Sequence, residues 1–231
     1  MGIFVIIIAF AIISFAVNRR LKNKFKKYSQ EPLRSGLSGR EIAEKMLSDS
    51  GIYDVKVECV PGHLSDHYNP GNHTVNLSEQ VYHGHSIAAA AVAAHECGHA
   101  VQHAQHYSML KLRTALVPLQ SVSGKIMNFM FLAMIFGGSF LYSTFPYQNI
   151  LLIIIAAYAV FTLFAFVTLP VEFDASNRAL AWIDDKGIVT SQEHEGAKDA
   201  LKWAAMTYVV AAIASLVTLL YYIMAFLGAR D

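Results

Sequence analysis

Residues 126–171 read IMNFMFLAMIFGGSFLYSTFPYQNILLIIIAAYAVFTLFAFVTLPV, and none of these 46 residues is charged. A membrane-spanning helix needs about 20 predominantly apolar residues. The run is too long for one span and long enough for two. The polar stretch Ser143-Thr144-Phe145-Pro146-Tyr147-Gln148-Asn149 divides it, and its proline and short polar side chains suit a turn. Two more charge-free runs lie outside it, residues 1–18 and the 27 residues 203–229. The pattern predicts helices over 1–18, 126–143, 149–169 and 203–228.

Composition agrees with that reading. Of 231 residues, 55% are hydrophobic and only 15% charged, against about 25% charged in soluble domains. This excludes an ordinary soluble globular protein and a disordered chain. A net charge of +1 gives no basis for binding nucleic acid through bulk electrostatics. Two cysteines, Cys59 and Cys97, exclude a disulfide scaffold and a four-cysteine zinc site.

Charge placement orients the spans. Arg19, Arg20, Lys22, Lys24, Lys26 and Lys27 directly follow the first run. A signal peptide carries its positive charge before the apolar core, not after it. Ile6 stands where a myristoylation signal needs Ser or Thr. By the positive-inside rule the cluster stays in the cytoplasm and the N-terminus lies outside. Residues 19–125 hold 13 Lys and Arg, residues 170–202 hold four, the 143–149 turn none and the tail only Arg230. Four spans put both basic segments on one side. The expected organisation is a first transmembrane helix over 1–18, a cytoplasmic catalytic domain over 19–125, transmembrane helices two and three over 126–169, a cytoplasmic segment over 170–202 and a fourth transmembrane helix over 203–228.

Within the cytoplasmic part, residues 19–35 read as a basic linker. Ser38-Gly39-Arg40-Glu41 has capping-box spacing, followed at helical intervals by Ile42, Ala43, Met46 and Leu47, with Gly51 ending the helix. Asp54–Cys59 alternates polar and apolar residues, as a half-buried strand does. A second strand pair is predicted over Leu64–Tyr68 and Thr74–Leu77, turned by Asn69-Pro70-Gly71-Asn72. A long alanine-rich helix follows from Ser86 to Tyr107. Its apolar stretch Ile87–Ala94 is too short to span and is interrupted by His95 and Glu96. It therefore reads as a helix buried inside the domain.

That helix carries Ala94-His95-Glu96-Cys97-Gly98-His99-Ala100, the H-E-x-x-H pattern. The i, i+4 spacing stacks both imidazoles on one helix face, where two nitrogens can take adjacent corners of a zinc tetrahedron. Glu96 sits beside them, placed to act on a bound water. With ten histidines and nine glutamates in the chain, chance placement yields about 0.02 such matches. Nine of the histidines cluster within 63–106, which raises that figure several-fold without making chance the better account.

Two histidines leave a third ligand to find. A further histidine on the pattern H-E-x-x-H-x-x-G-x-x-H fails, because Gln102 and Gln105 occupy the glycine and histidine positions and His106 is one residue off. His103 lies one turn further along the same face, but three histidines on a straight helix do not converge on one ion. No Asp or Glu occurs between Glu96 and Glu172. Glu172 lies in Pro170-Val171-Glu172-Phe173-Asp174-Ala175-Ser176, and two intervening spans return it to the side the chain left. Pro170 suits the first turn of a new helix, where an acid also favours the N-terminus. Asp174 is the rival carboxylate within the segment.

Leu64-Ser65-Asp66-His67-Tyr68-Asn69-Pro70, Leu77-Ser78-Glu79-Gln80-Val81-Tyr82-His83-Gly84, the H-E-x-x-H segment and Leu169–Ser176 together resemble the YugP-type zinc-dependent membrane peptidases of bacteria. The likeness covers nearly the whole chain. More distantly the sequence is similar to the HtpX and CAAX-prenyl-protease group, which pairs H-E-x-x-H with a membrane-proximal E-x-x-A-D. Here Ser176 replaces that final Asp, and Asp174 is the other candidate to stand behind a ligating histidine. The distant likeness also implies an edge strand that pairs with extended substrate, and Thr74–Leu77 is the matching stretch.

The fold class expected is a mainly α membrane protein, about four transmembrane helices with a cytoplasmic α+β zincin-like catalytic domain. The function expected is membrane-bound zinc metalloendopeptidase, with His95, His99 and Glu172 holding Zn²⁺ and Glu96 catalytic. Arg178, His67 and His194 are candidates for stabilising the oxyanion. The partners expected are a peptide or membrane-protein substrate and the lipid bilayer, with no nucleic acid and no oligomeric state specified by the sequence. Two other functions stay open, a non-catalytic metal-binding scaffold or sensor and an intramembrane metalloprotease. The latter usually places an Asp in a later span, whereas the spans here hold no acid.

Overall fold

The computed structural model describes residues 2–144 and 146–228. Phe145, in the middle of the expected turn, and Arg230 in the tail lie outside the described residues. In chain order the elements are α1 (Gly2–Ser29), α2 (Gly39–Asp49), β1 (Lys56–Val60), β2 (His67–Asn69), β3 (Thr74–Ser78), α3 (Glu79–Tyr82), α4 (Ile87–Ala104), α5 (Ser108–Thr144), α6 (Tyr147–Asp185) and α7 (Ser191–Gly228). Gly137 is non-helical and interrupts α5. Among the described residues, four helices are long and apolar enough to cross a membrane: α1, residues Ser108–Gly137 of α5, α6 and α7. The protein is a mainly α membrane protein with one small sheet.

The helices outrun the apolar segments. Residues 19–29 are not a linker but the last turns of α1. Two of their cations meet the start of α7, Lys24 Nζ 2.6 Å from Asp199 and the Arg20 guanidinium 5.3 Å over the Trp203 ring, and the Tyr28 hydroxyl donates to Asp199. Residues 170–202 are likewise the end of α6 and the start of α7. Pro170 lies inside α6 rather than in the first turn of a new helix. One continuous helix thus joins the apolar run to Glu172. Proline removes one N–H from a helix, yet α6 continues through Pro170 as far as Asp185. Gly187, at φ +62°, ends α6, with Ile188 N–H returning to the Ile183 carbonyl.

The chain forms two compact units. One gathers residues 2–15, 111–169 and 208–228, and the other residues 16–110 and 170–207. The second unit contains the sheet. Its α2 starts on the expected capping box, Ser38 accepting from Glu41 N–H while the Glu41 carboxylate accepts from Ser38 N–H. It ends where Gly51 adopts φ +71°, a left-handed position that suits glycine.

Strand order is β1-β3-β2, with β1 parallel and β2 antiparallel to β3. This overturns the expectation that Thr74–Leu77 is an edge strand: β3 is central and paired on both sides. All five of its residues are buried. Its polar side chains are satisfied internally, Asn76 donating to Thr74 and the Ser78 hydroxyl donating to Asp66. The core of this unit is built around α4, whose residues Ala88 to Ala91, Ala93 and Ala94 are sealed from solvent together with Ile42, Met46, Val75, Leu77 and Val81.

Candidate metal centre

His95 and His99 stack on α4 with ring centroids 4.8 Å apart, edge to face. Opposite them α6 presents Glu172. Its Oε2 lies 3.5 Å from His95 Nε2 and 3.6 Å from His99 Nε2, and the three donors fall within 4.8 Å of one another. The close approach of the two helices has a local cause. A Cβ on Gly98 would sit 2.6 Å from the Ala175 carbonyl oxygen, so only glycine lets α4 lie this near α6. Ala175 is itself sealed from solvent. Small residues at the crossing are what bring ligands from two helices within reach of one ion.

The donor set fits zinc. In a tetrahedral site with bonds of roughly 2.1 Å to nitrogen and oxygen, neighbouring donors stand about 3.4 Å apart. The observed carboxylate–imidazole spacings are close to that edge. Two imidazoles and a carboxylate are also the borderline-hard donors that zinc accepts in open, three-ligand sites.

The other ring nitrogens are held from behind. His95 Nδ1 lies 3.1 Å from Ser176 Oγ, and His99 Nδ1 lies 3.0 Å from Gln102 Oε1. Gln102 Nε2 donates to the Val171 carbonyl and to Asp174 Oδ2, both at 2.8 Å. Asp174 is paired with Arg178. Ser176 and Asp174, expected behind the histidines, therefore stand one behind each: Ser176 directly at His95, Asp174 through Gln102 at His99. Gln102 is absent from the sequence expectations, which weighed it only as a failed glycine position. Its i+3 spacing from His99, which puts both side chains on one helix face, is the signal that could have found it.

Glu96 is buried, and its Oε2 accepts the Tyr68 N–H at 3.0 Å. Tyr68 lies on β2, so the sheet edge nearest Glu96 is β2. The Tyr68 hydroxyl lies 2.7 Å from His103 Nδ1, which engages His103 away from the His95–His99–Glu172 group. Burial opposes a charged His99, but hydrogen bonding to Glu172 and the charges of Glu96 and Glu172 outweigh it and raise the imidazole above its ordinary value. Burial pushes the Cys97 thiol far up, and it donates to the Ala43 carbonyl. Cys97 is a neutral packing residue inside the motif.

The three oxyanion candidates each have partners of their own. Arg178 is committed to Asp174 and, through Nη1, to Gln105. His67 is exposed on β2, its Nδ1 2.8 Å from the Ser65 carbonyl. His194 sits in the first turn of α7, its N–H on the Thr190 carbonyl.

Residues 3–227 match the family described as "Putative neutral zinc metallopeptidase". The chain is 41% identical over 219 residues to a Bacillus subtilis (strain 168) protein named "Putative membrane protease YugP", covering 95% of this chain and 94% of that one. No solved structure matches. Over nearly its whole length, then, the chain belongs to this zinc metallopeptidase family.

Proposed function

We propose that the protein is a membrane-bound zinc endopeptidase that hydrolyses peptide bonds at the cytoplasmic surface of the cell membrane. The observation that carries this reading is the convergence of His95, His99 and Glu172, from two helices, beside the buried carboxylate of Glu96. His95, His99 and Glu172 would hold a zinc ion there, which would supply Lewis-acid chemistry toward a carbonyl and toward a water. Glu96 is placed to take a proton from the attacking water and to deliver it to the leaving amine. The Tyr68 N–H fixes one Glu96 oxygen and leaves the other to handle the proton.

Glu172 directly follows the 46-residue charge-free run. This supports a catalytic centre close to the bilayer and substrates that are membrane-bound or membrane-adjacent. The cations after the first apolar run support the cytoplasmic side. A metal-binding scaffold or sensor could use the same ligands but has no need of an acid at Glu96. The test is Glu96→Gln. The variant is expected to keep its zinc by elemental analysis and to lose peptide hydrolysis. Loss of the metal together with activity would make Glu96 a ligand, and retained hydrolysis would remove it from the mechanism.

A further inference from the structure

We propose that Gln102 is a positioning residue that fixes the protonation pattern of His99, so that His99 meets the metal with a preset Nε2 lone pair while His95 does not. The inference rests on reading His95, His99 and Glu172 as the ligand set.

The orientation of the Gln102 amide follows from its neighbours. A side-chain amide has two donor hydrogens on nitrogen and an acceptor oxygen. Two acceptors, the Val171 carbonyl and the Asp174 carboxylate, face one end of it at 2.8 Å. Neither can donate, and Arg178 beside Asp174 favours the ionised carboxylate. Both therefore require the nitrogen end, and Nε2 spends both hydrogens on them. Turning the amide over would press its oxygen against two acceptors. Oε1 is thus the atom left facing His99 Nδ1 at 3.0 Å, and an acceptor there demands that Nδ1 carry the proton. A metal-bound imidazole keeps one N–H, so when His99 binds metal it is Nε2, the nitrogen turned toward Glu172, that offers the lone pair.

His95 has no such constraint. Its Nδ1 faces the Ser176 hydroxyl, which can donate or accept by rotating. The two ligands on one helix face therefore differ: His99 is preset by a fully buried amide and His95 adapts. Gln102 also ties His99 to the carbonyl immediately before Glu172, so one side chain registers a ligand of α4 against the ligand of α6. The chain Arg178, Asp174, Gln102, His99 accounts for the ion pair on α6 without giving Arg178 a place at the reacting atoms.

Two measurements on the full-length protein in detergent test this. In zinc-free wild type at pH 8, nitrogen NMR with ¹⁵N-histidine, assigned by His99→Asn, is expected to show a proton on His99 Nδ1, alone or together with one on the Nε2 that faces Glu172. An Nε2–H tautomer at His99 overturns the proposal whatever the variants do. The second is Zn²⁺ affinity by chelator competition, alongside thermal midpoints of the zinc-free proteins. Replacing an outer partner of a ligating histidine typically costs 10–100-fold in metal affinity. Gln102→Met, similar in shape but with no acceptor, is expected to lose about tenfold or more. Gln102→Glu, which keeps an acceptor toward Nδ1, is expected to recover most of that loss even if its midpoint falls. Zinc affinity unchanged in Gln102→Met, or equally low in both variants, overturns the positioning role. If wild type binds no zinc at all, the ligand reading fails instead, and the NMR result still reports on the amide.

Discussion

The N-terminal part of α1 and the first turns of α4 are both apolar, yet they meet different surroundings. On α1, Phe4 and Phe15 are each 68% exposed, and Val5, Ile8 and Ile12 are more than half exposed. On α4, Ala88 to Ala91, Ala93 and Ala94 are 0–2% exposed. The difference lies in side-chain size. A helix facing lipid offers large apolar side chains to hydrocarbon and needs no close neighbour. A helix packed inside protein needs small side chains, so that other backbones can approach within van der Waals contact. Apolarity says that water is excluded; size says what excludes it. Gly98 carries this logic to its limit on the same α4, where even a methyl would strike the Ala175 carbonyl.

The largest effect should come from filling that gap. Gly98→Val should destabilise at or above the upper end of the roughly 1–3 kcal/mol typical of overpacking, and zinc binding should fall with it because α4 and α6 separate. Thermal midpoint and zinc content measure both, and a variant with normal zinc would show that the close approach is dispensable. Ile8→Arg on α1 puts a charge in the first apolar run, a substitution that costs about 2.5–3.5 kcal/mol near the centre of an inserting helix. Cysteine accessibility at the N-terminus should report impaired insertion; unchanged insertion would place Ile8 away from lipid. Smallest is a matched pair. Ala90→Leu on α4 should lose about 1–3 kcal/mol, while Phe15→Leu on α1 should change stability by less than about 0.5 kcal/mol. Similar shifts for both would erase the distinction drawn between the two helices.

Much of this was legible in the sequence, for reasons that are local. The charge-free runs marked the four helices, and the i, i+4 histidines and the carboxylate-free interval up to Glu172 led to the three donors that the fold brings together. What was not legible depends on non-local pairing or on burial. Thr74-Val75-Asn76-Leu77-Ser78 alternates as a half-exposed strand would, but its polar face is buried and bonded within the protein. Nothing local to those residues shows that β1 will pair with β3 across the intervening β2. Pro170 reads as a helix start, because the bonding of the helix that runs through it cannot be seen along the chain. Gln102 is invisible as a partner of His99 until Val171 and Asp174 fix which way its amide points.

The central claim is that a helix ending a membrane span supplies the third ligand to a motif on a buried, alanine-rich helix. Zinc content of wild type, Glu172→Ala and Asp174→Ala, purified identically without chelators, tests it most directly. The account predicts about one zinc per chain in wild type, as a three-ligand site binds one ion. It predicts little or none in Glu172→Ala and a smaller loss in Asp174→Ala, which reaches His99 only through Gln102. Full zinc in Glu172→Ala would contradict the ligand set, and with it the case for a centre beside the bilayer.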